Sequence, residues 1–353
     1  MGPLETALTA FPRVELTRTE TPLQRLNQLS ERLDLDVWMN RDDLTDLALG
    51  GDKARKLEYE LARALDQDAD TLVTCGSSQS NFARLVTAAA RRLGLECALV
   101  LSAGHHPEPQ GNLLIVRLMG AHVRMVDTSD IWDLEDQCLA LCDELRAAGR
   151  RPYYVPVSGT TATSCLGYIR AGFELVDQLR AAALRPAAVY TPFGTGGIFT
   201  GLQLAFAERQ PAPALIGVSV NRDRRSCEEL ARQRAAEVWS LLGVSPAAAP
   251  VALELRDDEL GGGYGEPTPA CLDAIVELAS SEGILLDPVY SGKVAAALLA
   301  DGRGARWAPG TTVVMLHSGG VPALFAYQTE VLTHLNSTTA STRGTTVRPQ
   351  PGA

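Results

Sequence analysis

Helical and strand patterns alternate along nearly all of this 353-residue chain. Short apolar runs at 35–41, 71–75, 97–101, 122–126, 153–156, 188–191, 215–220, 251–255 and 311–316 read as strands. Helical spacing fills 56–65, 81–93, 111–119, 132–147, 165–180, 199–208, 228–242, 272–280 and 292–299. In the first of these, Leu57, Leu61 and Leu65 share one face. Such alternation builds βαβ units, so the expectation is an α/β fold of mostly parallel sheets covered by helices. Ligands in these sheets bind at the carboxyl ends of strands. The polar turns of this chain follow strands, so they can converge on one crevice. The length suits one large core or two lobes of ordinary domain size.

Charge and apolar pattern exclude several roles. The chain has 42 acidic and 32 basic residues, a net charge of −10, and no basic stripe. That argues against a nucleic-acid partner. No apolar run reaches the roughly 18 residues of a membrane helix. Residues 1–11 lack a basic stretch followed by an apolar core, so no signal peptide is expected. Cys75, Cys97, Cys138, Cys142, Cys165, Cys227 and Cys271 contain no Cys-x-x-Cys pair. They read as small buried hydrophobes in a reducing cytoplasm. The five histidines are scattered, and no metal-ligand set can be assembled from them. From about residue 336 the chain is rich in Ser, Thr, Pro and Gly and reads as a disordered tail.

Lysine is scarce. Lys53, Lys56 and Lys293 are the only three, and arginine supplies the other 29 basic residues. Two of the lysines follow a Gly50-Gly51 turn. Arginine does not lose its proton near neutral pH, whereas a lysine can become an amine nucleophile. The plainer reading is two surface lysines opening a helix; their scarcity and the glycines favour a functional one.

Three further stretches could carry chemistry. Residues 71–81 form a strand, a Gly76-Ser-Ser-Gln-Ser80 turn and a helix start at Asn81. Exposed amides there hold an anion such as a carboxylate, although Ser80 or Asn81 could equally be only an N-cap. Residues 190–201 repeat the arrangement around Gly194-Thr-Gly-Gly197. That loop can cradle a phosphate, while its spacing fits neither a dinucleotide fingerprint nor a P-loop. Residues 287–293 put Tyr290 and Ser291 at a helix start, as a turn and cap or as a phenol acid/base with a hydroxyl partner. One lysine, one phosphate cradle and one carboxylate cradle suit pyridoxal 5′-phosphate.

These motifs resemble the D-cysteine desulfhydrase and 1-aminocyclopropane-1-carboxylate (ACC) deaminase family of pyridoxal-phosphate enzymes. The resemblance runs in order from Pro12 to Tyr327. It rests on Arg41-Asp-Asp, Gly50-Gly-Asp-Lys-Ala-Arg-Lys-Leu-Glu-Tyr59, Gln79-Ser-Asn81 and Gly194-Thr-Gly-Gly197. Gly263-Tyr-Gly265, the 283–293 stretch and His317-Ser-Gly-Gly-Val-Pro-Ala-Leu324 complete it. It implies a tryptophan-synthase-β-like fold (fold type II) of two lobes, each a mostly parallel sheet flanked by helices. The implied lobes are a large one from 1–55 and 166–335 and a small one from 56–165, followed by the tail at 336–353. Lys53 matches the lysine that carries the cofactor, and Lys56 adds positive potential one turn on. Asn81 matches the residue that bonds the ring's phenolic oxygen. Thr195, Gly196, Gly197 and Ile198 match the phosphate loop. Tyr290 and Tyr264 match active-site tyrosines. Ser80 matches a residue that holds the substrate carboxylate or moves a proton. Gln79, Asn81 and Thr160 fall in the substrate-binding loops. A cytoplasmic homodimer acting on a small amino acid is the family expectation.

Two positions separate the branches. ACC deaminases carry Glu where Ser291 stands and Leu where Ser318 stands; the desulfhydrase branch carries hydroxyls at both. A hydroxyl at the ring nitrogen gives a shallower electron sink, which suffices when the β-carbon bears a good leaving group. The resemblance therefore implies β-elimination, with D-cysteine as first candidate. ACC deamination and β-replacement on a cysteine- or serine-like substrate are the alternatives. Three departures bear on substrate: Asp52 where Asn is usual, Phe82 where His or Gln is common, and the 160–165 loop.

Overall fold

Strands that show no polar alternation need cover on both faces, and most strands of this chain are of that kind. The computed structural model describes all residues except 1, 18–19, 105, 129, 246–250 and 344–353. The strands are β1 (Leu23–Arg25), β2 (Asp36–Asn40), β3 (Thr71–Ser77), β4 (Glu96–Ser102), β5 (His122–Val126), β6 (Pro152–Tyr154), β7 (Ala188–Phe193), β8 (Ala214–Ser219), β9 (Leu253–Arg256) and β10 (Thr312–Leu316). They form a six-stranded sheet, β1-β2-β10-β7-β8-β9, and a four-stranded sheet, β5-β4-β3-β6. Every pairing is parallel except β1 with β2.

Helices cover both faces of each sheet. In the larger sheet Val313 and Met315 pack toward the Pro269–Glu282 and Ser291–Arg303 helices. Val314 and Leu316, one residue out of phase, face the Ala162–Ala181 and Gly197–Glu208 helices. In the smaller sheet Leu72, Cys97 and Leu99 pack under the Lys53–Asp66 and Asn81–Arg92 helices. Val73, Cys75 and Val100 meet Cys138 and Cys142 on the opposite face. All seven cysteines are buried and unbridged. The architecture is α/β, with two parallel-sheet lobes flanked by helices. Among the described residues no helix is long and apolar enough to cross a membrane.

Topology places the site. The chain leaves the larger sheet after β2, builds the smaller one and re-enters at β7. Strand β10 then inserts between β2 and β7. The carboxyl ends of β2, β10 and β7 lie side by side at this switch point, where α/β sheets bind ligands. A stack of three helices ties the lobes together there. A Cβ on Gly167 would collide with the Arg55 carbonyl, and one on Gly201 would lie 2.6 Å from the Tyr168 backbone carbon. Glycine thus lets the Lys53–Asp66, Ala162–Ala181 and Gly197–Glu208 helices cross at backbone contact.

Several elements differ from expectation. The helix expected from 56 begins at Lys53, so Lys53 is its first residue. The Pro3–Leu8 and Asn27–Leu33 helices and the three-residue β1 carry too little periodicity to be legible in sequence. The stretch expected to be disordered from 336 continues the Gln328–Arg343 helix. Residues 344–353 of that tail lie outside the described residues.

Candidate active site

Lys53 opens its helix from a turn that leans on the end of β10. The Asp52 amide donates to the Ser318 carbonyl at 3.0 Å. Lys53 is 9% exposed, and its Nζ lies 5.4 Å from the centroid of the Tyr290 ring. Asp52, 2% exposed, accepts from Lys53 Nζ through Oδ1 and Oδ2, each at 2.8 Å. The acid noted as a departure in the sequence therefore contacts the key lysine itself.

One helical turn on, Lys56 is buried. Its Nζ donates to Thr160 Oγ1 at 3.3 Å and lies 3.8 Å from Asp52 Oδ2. Burial, then the neighbouring Lys53 charge, bring the Lys56 ammonium down to about 8. Lys56 faces the turn after β7, where Thr195 Oγ1 bonds Thr160 Oγ1 at 2.6 Å and accepts from Ser158 Oγ at 3.0 Å. Gly196 is left-handed at φ 81° and caps the Gly197–Glu208 helix without a side chain. The amides of Gly197 and Ile198 donate to no acceptor among the described residues. Hydroxyls, helix-start amides and an ammonium thus surround one anion-sized space. Thr160, expected among substrate-binding residues, lies at this cradle. Ser158 was not singled out in the sequence; only its proximity to Thr160 signalled it.

The carboxyl end of β3 supplies the opposite wall. Ser80 caps the Asn81–Arg92 helix, its Oγ accepting from the Ala83 amide at 3.1 Å. Asn81 Oδ1 accepts from Asn112 Nδ2 at 2.8 Å, which turns the Asn81 amide nitrogen toward the turn after β10. That nitrogen would lie 2.9 Å from a Cβ on Gly320, and the Asp287 carboxyl carbon 2.8 Å from it. With φ at +99° as well, position 320 accepts only glycine. Gln79 is committed to scaffolding: Oε1 accepts from the Asn112 amide at 3.0 Å and Nε2 donates to the Gln110 carbonyl at 3.2 Å. Buried Arg84 donates from Nε to Asn112 Oδ1 at 2.8 Å and from Nη2 to the Gly50 carbonyl at 2.9 Å, and it also bonds the Ala48 carbonyl. Arg84 and Asn112 therefore couple the Lys53 turn to Asn81. Neither has a local sequence signal. Phe82 is buried against Gly159 in the core of the smaller lobe, so its ring does not replace a polar group at the cleft.

Two tyrosines stand over the cleft. Tyr264 and Tyr290 share a hydrogen bond of 2.7 Å between their hydroxyls and meet edge to face. Desolvation, with the Tyr264 oxygen acting the same way, holds the Tyr290 phenol well above its ordinary value. Lys293, the third lysine, pins the loop bearing Tyr264 by donating to the Leu260 carbonyl at 2.8 Å. The tyrosines divide the cleft. One side is lined by Lys53, Lys56, Gly194–Ile198, Asn221 and Ser318. The other is lined by Ser77–Gln79, Asn81, Ser102, His106 and Tyr327. Ser318 lies on the lysine side. Ser291 is fully buried, and its hydroxyl donates to Asp287 Oδ1 at 2.6 Å.

A carbonyl-bearing phosphate ester fits the lysine side. Among the described residues the cradle offers unpartnered amides and a buried ammonium, Lys53 is the amine beside it, and Asn221 Oδ1 is a buried acceptor with no partner. Fold and site together describe a two-lobed α/β protein whose cleft sets an anion cradle beside two buried lysines. Residues 14–319 match the family model described as pyridoxal-phosphate dependent enzyme. The chain is 37% identical over 334 residues to a D-cysteine desulfhydrase of Serratia proteamaculans, covering 93% of this chain and 99% of that one. It is 36% identical over 329 residues to the D-cysteine desulfhydrase of Salmonella typhi, covering 92% and 98%. A crystal structure of an ACC deaminase homologue superposes with a TM-score of 0.86 at 35% identity, over 95% of this chain and 100% of that one. A threonine deaminase of Solanum lycopersicum shares the fold at 18% identity and a TM-score of 0.70, over 95% and 88%. The chain belongs to the pyridoxal-phosphate-dependent enzyme family, in the group that contains the D-cysteine desulfhydrases and ACC deaminases, and its cofactor is pyridoxal 5′-phosphate.

Proposed function

We propose that this enzyme is a β-eliminating lyase of a small amino acid, with D-cysteine the first candidate, giving pyruvate, sulfide and ammonia. The observation that carries this reading is the position of Lys53 Nζ. It lies 5.4 Å over the Tyr290 ring, where the two halves of the cleft meet. Bound there, pyridoxal phosphate supplies a carbonyl for amines and a ring that takes up the electron pair left on the substrate α-carbon.

The protein does the rest. Lys56 and the 195–198 turn bind the phosphate, with Thr160 and Ser158 holding that turn in place. Asn81, oriented by Asn112, bonds the ring's phenolic oxygen. The amides at Asn81 and Phe82, unpartnered among the described residues, hold the substrate carboxylate. Ser80 Oγ is occupied as an acceptor by its cap but keeps its own hydrogen to donate there. Lys53 Nζ carries the α-proton. Tyr290 stays protonated, so it and Tyr264 hand a proton to the leaving sulfur.

Elimination is favoured over ring opening because the buried carboxylate of Asp287 is spent on its own turn. Asp287 Oδ1 accepts from the Ser291 amide and hydroxyl, and Oδ2 accepts from the Val289 and Tyr290 amides. Only hydroxyls, with Ser318 foremost, remain to meet the ring nitrogen. A keto-acid assay over D- and L-cysteine, D-serine, cysteate and ACC tests this; turnover of ACC alone would refute it. Borohydride reduction followed by peptide mapping should place the cofactor on Lys53.

The family expectation of a cytoplasmic homodimer extends to this reading. Exposed Leu44, Leu49, Leu114 and Phe325 cluster beside the Lys53 turn and support a subunit contact there. Sedimentation as a monomer would remove that part of the reading.

A further inference from the structure

Asp52 immediately precedes the Lys53–Asp66 helix with helical backbone angles, φ −52° and ψ −29°, and its side chain caps no amide. Here both carboxylate oxygens are on Lys53 Nζ at 2.8 Å, and the next cation, Lys56 Nζ, is 3.8 Å from Oδ2. Arg84, which also approaches this turn, is engaged by Asn112 and the Ala48 and Gly50 carbonyls.

We propose that Asp52 is an exchange partner of the two active-site lysines, holding Lys53 before the cofactor is captured and Lys56 afterwards. This inference rests on the cofactor reading of Lys53. An ammonium carries three hydrogens. Capture forms a carbon–nitrogen double bond to the cofactor's carbonyl carbon. Two hydrogens leave the nitrogen with the carbonyl oxygen as water, and one stays on nitrogen with the positive charge. At most one of the two Asp52 hydrogen bonds can therefore survive capture. The oxygen set free belongs to a carboxylate that is 2% exposed and cannot be left short of a partner at low cost, and Lys56 is the adjacent cation. Asp52 thus acts twice, in opposite senses. It opposes capture, because the Lys53 pair must break first. It then opposes release, because it holds Lys56 charged beside the phosphate cradle.

The test is Asp52→Asn, which keeps size and removes charge. Resolved protein is mixed with pyridoxal 5′-phosphate, and capture is followed by visible absorbance. Release is followed after adding excess hydroxylamine-type scavenger. Capture and release should both accelerate, each by roughly tenfold, as expected for losing a charged hydrogen-bonded pair. In a Lys56→Gln background the same substitution should still speed capture but no longer change release. Unchanged rates, slower capture, or a release effect that persists without Lys56 would each overturn the exchange. Asp52→Ala with thermal unfolding separates a folding defect, which would slow capture and lower the melting temperature together. Wild-type protein that develops no visible absorbance would instead refute the cofactor reading itself.

Discussion

Asp287 uses both oxygens on its own turn, and Ser291 completes that turn by accepting from the Asp287 amide at 2.8 Å. Ser291 and Ser318 therefore differ in kind. Replacing Ser291 by Ala leaves a buried carboxylate oxygen and a buried amide short of partners. It should cost about 1–3 kcal/mol in urea unfolding while leaving the cofactor spectrum nearly in place. Ser318→Ala should do the reverse, moving the visible absorbance with little loss of stability; the opposite pattern would exchange their roles. Lys56 gives a pH dependence. Its folded-state value is depressed to about 8, so it is charged below that pH and neutral above it. Binding of inorganic phosphate to the cofactor-free protein should be strongest below pH 8 and fall by up to about tenfold per unit above it, read by calorimetry. Its effect on stability has the opposite sign. Above about pH 8 the folded state holds fewer protons on Lys56 than the unfolded state does, so this residue's contribution rises with pH until the unfolded lysine also deprotonates.

At the scale of elements, the site depends on how closely three helices stack. The start of the Gly197–Glu208 helix reaches Lys56 only because glycines at the crossings let backbones touch. A Cβ at Gly201 would lie 2.6 Å from the Tyr168 backbone carbon. Gly201→Ala should cost about 1–3 kcal/mol as overpacking and weaken pyridoxal phosphate binding in parallel, measured by melting and by titration. An alanine tolerated on both counts would mean that the stack does not set the cradle. The strand–turn–helix units and their glycine turns were legible from sequence because each is a local pattern. The partners that finish them were not. Ser158, Asn112 and Arg84 reach the site across sequence gaps of 37, 31 and 34 residues to Thr195, Asn81 and Gly50, and no local pattern marks such contacts.

At the scale of the molecule, the larger sheet is assembled from both ends of the chain while the smaller sheet is continuous. Strands β3 to β6 and the helices between them lie within one stretch. We propose that the lobes divide near residues 56 and 165. A fragment of residues 56–165 should then fold with a cooperative melt and bind no pyridoxal phosphate. Truncation before residue 311 removes β10 from the middle of the larger sheet and should abolish cooperative unfolding of that lobe. A fragment that stays unfolded would show that the lobes form one cooperative unit.

The Gly50–Tyr59 stretch with its two lysines, the glycine turn at 194–197 and the alternation of helix and strand were decided by sequence alone, because each depends on neighbours a few residues away. Tertiary structure decided that Asp52 holds Lys53, that Ser291 belongs to Asp287 and Ser318 to the cleft, and that Thr160 meets Lys56 and Thr195. Those outcomes depend on β10 entering between β2 and β7, which sets His317–Gly320 against the Lys53 turn. Insertion of a last strand beside one 276 residues earlier, as in the Thr312–Asp36 pairing, is a choice among long-range pairings that no local spacing encodes.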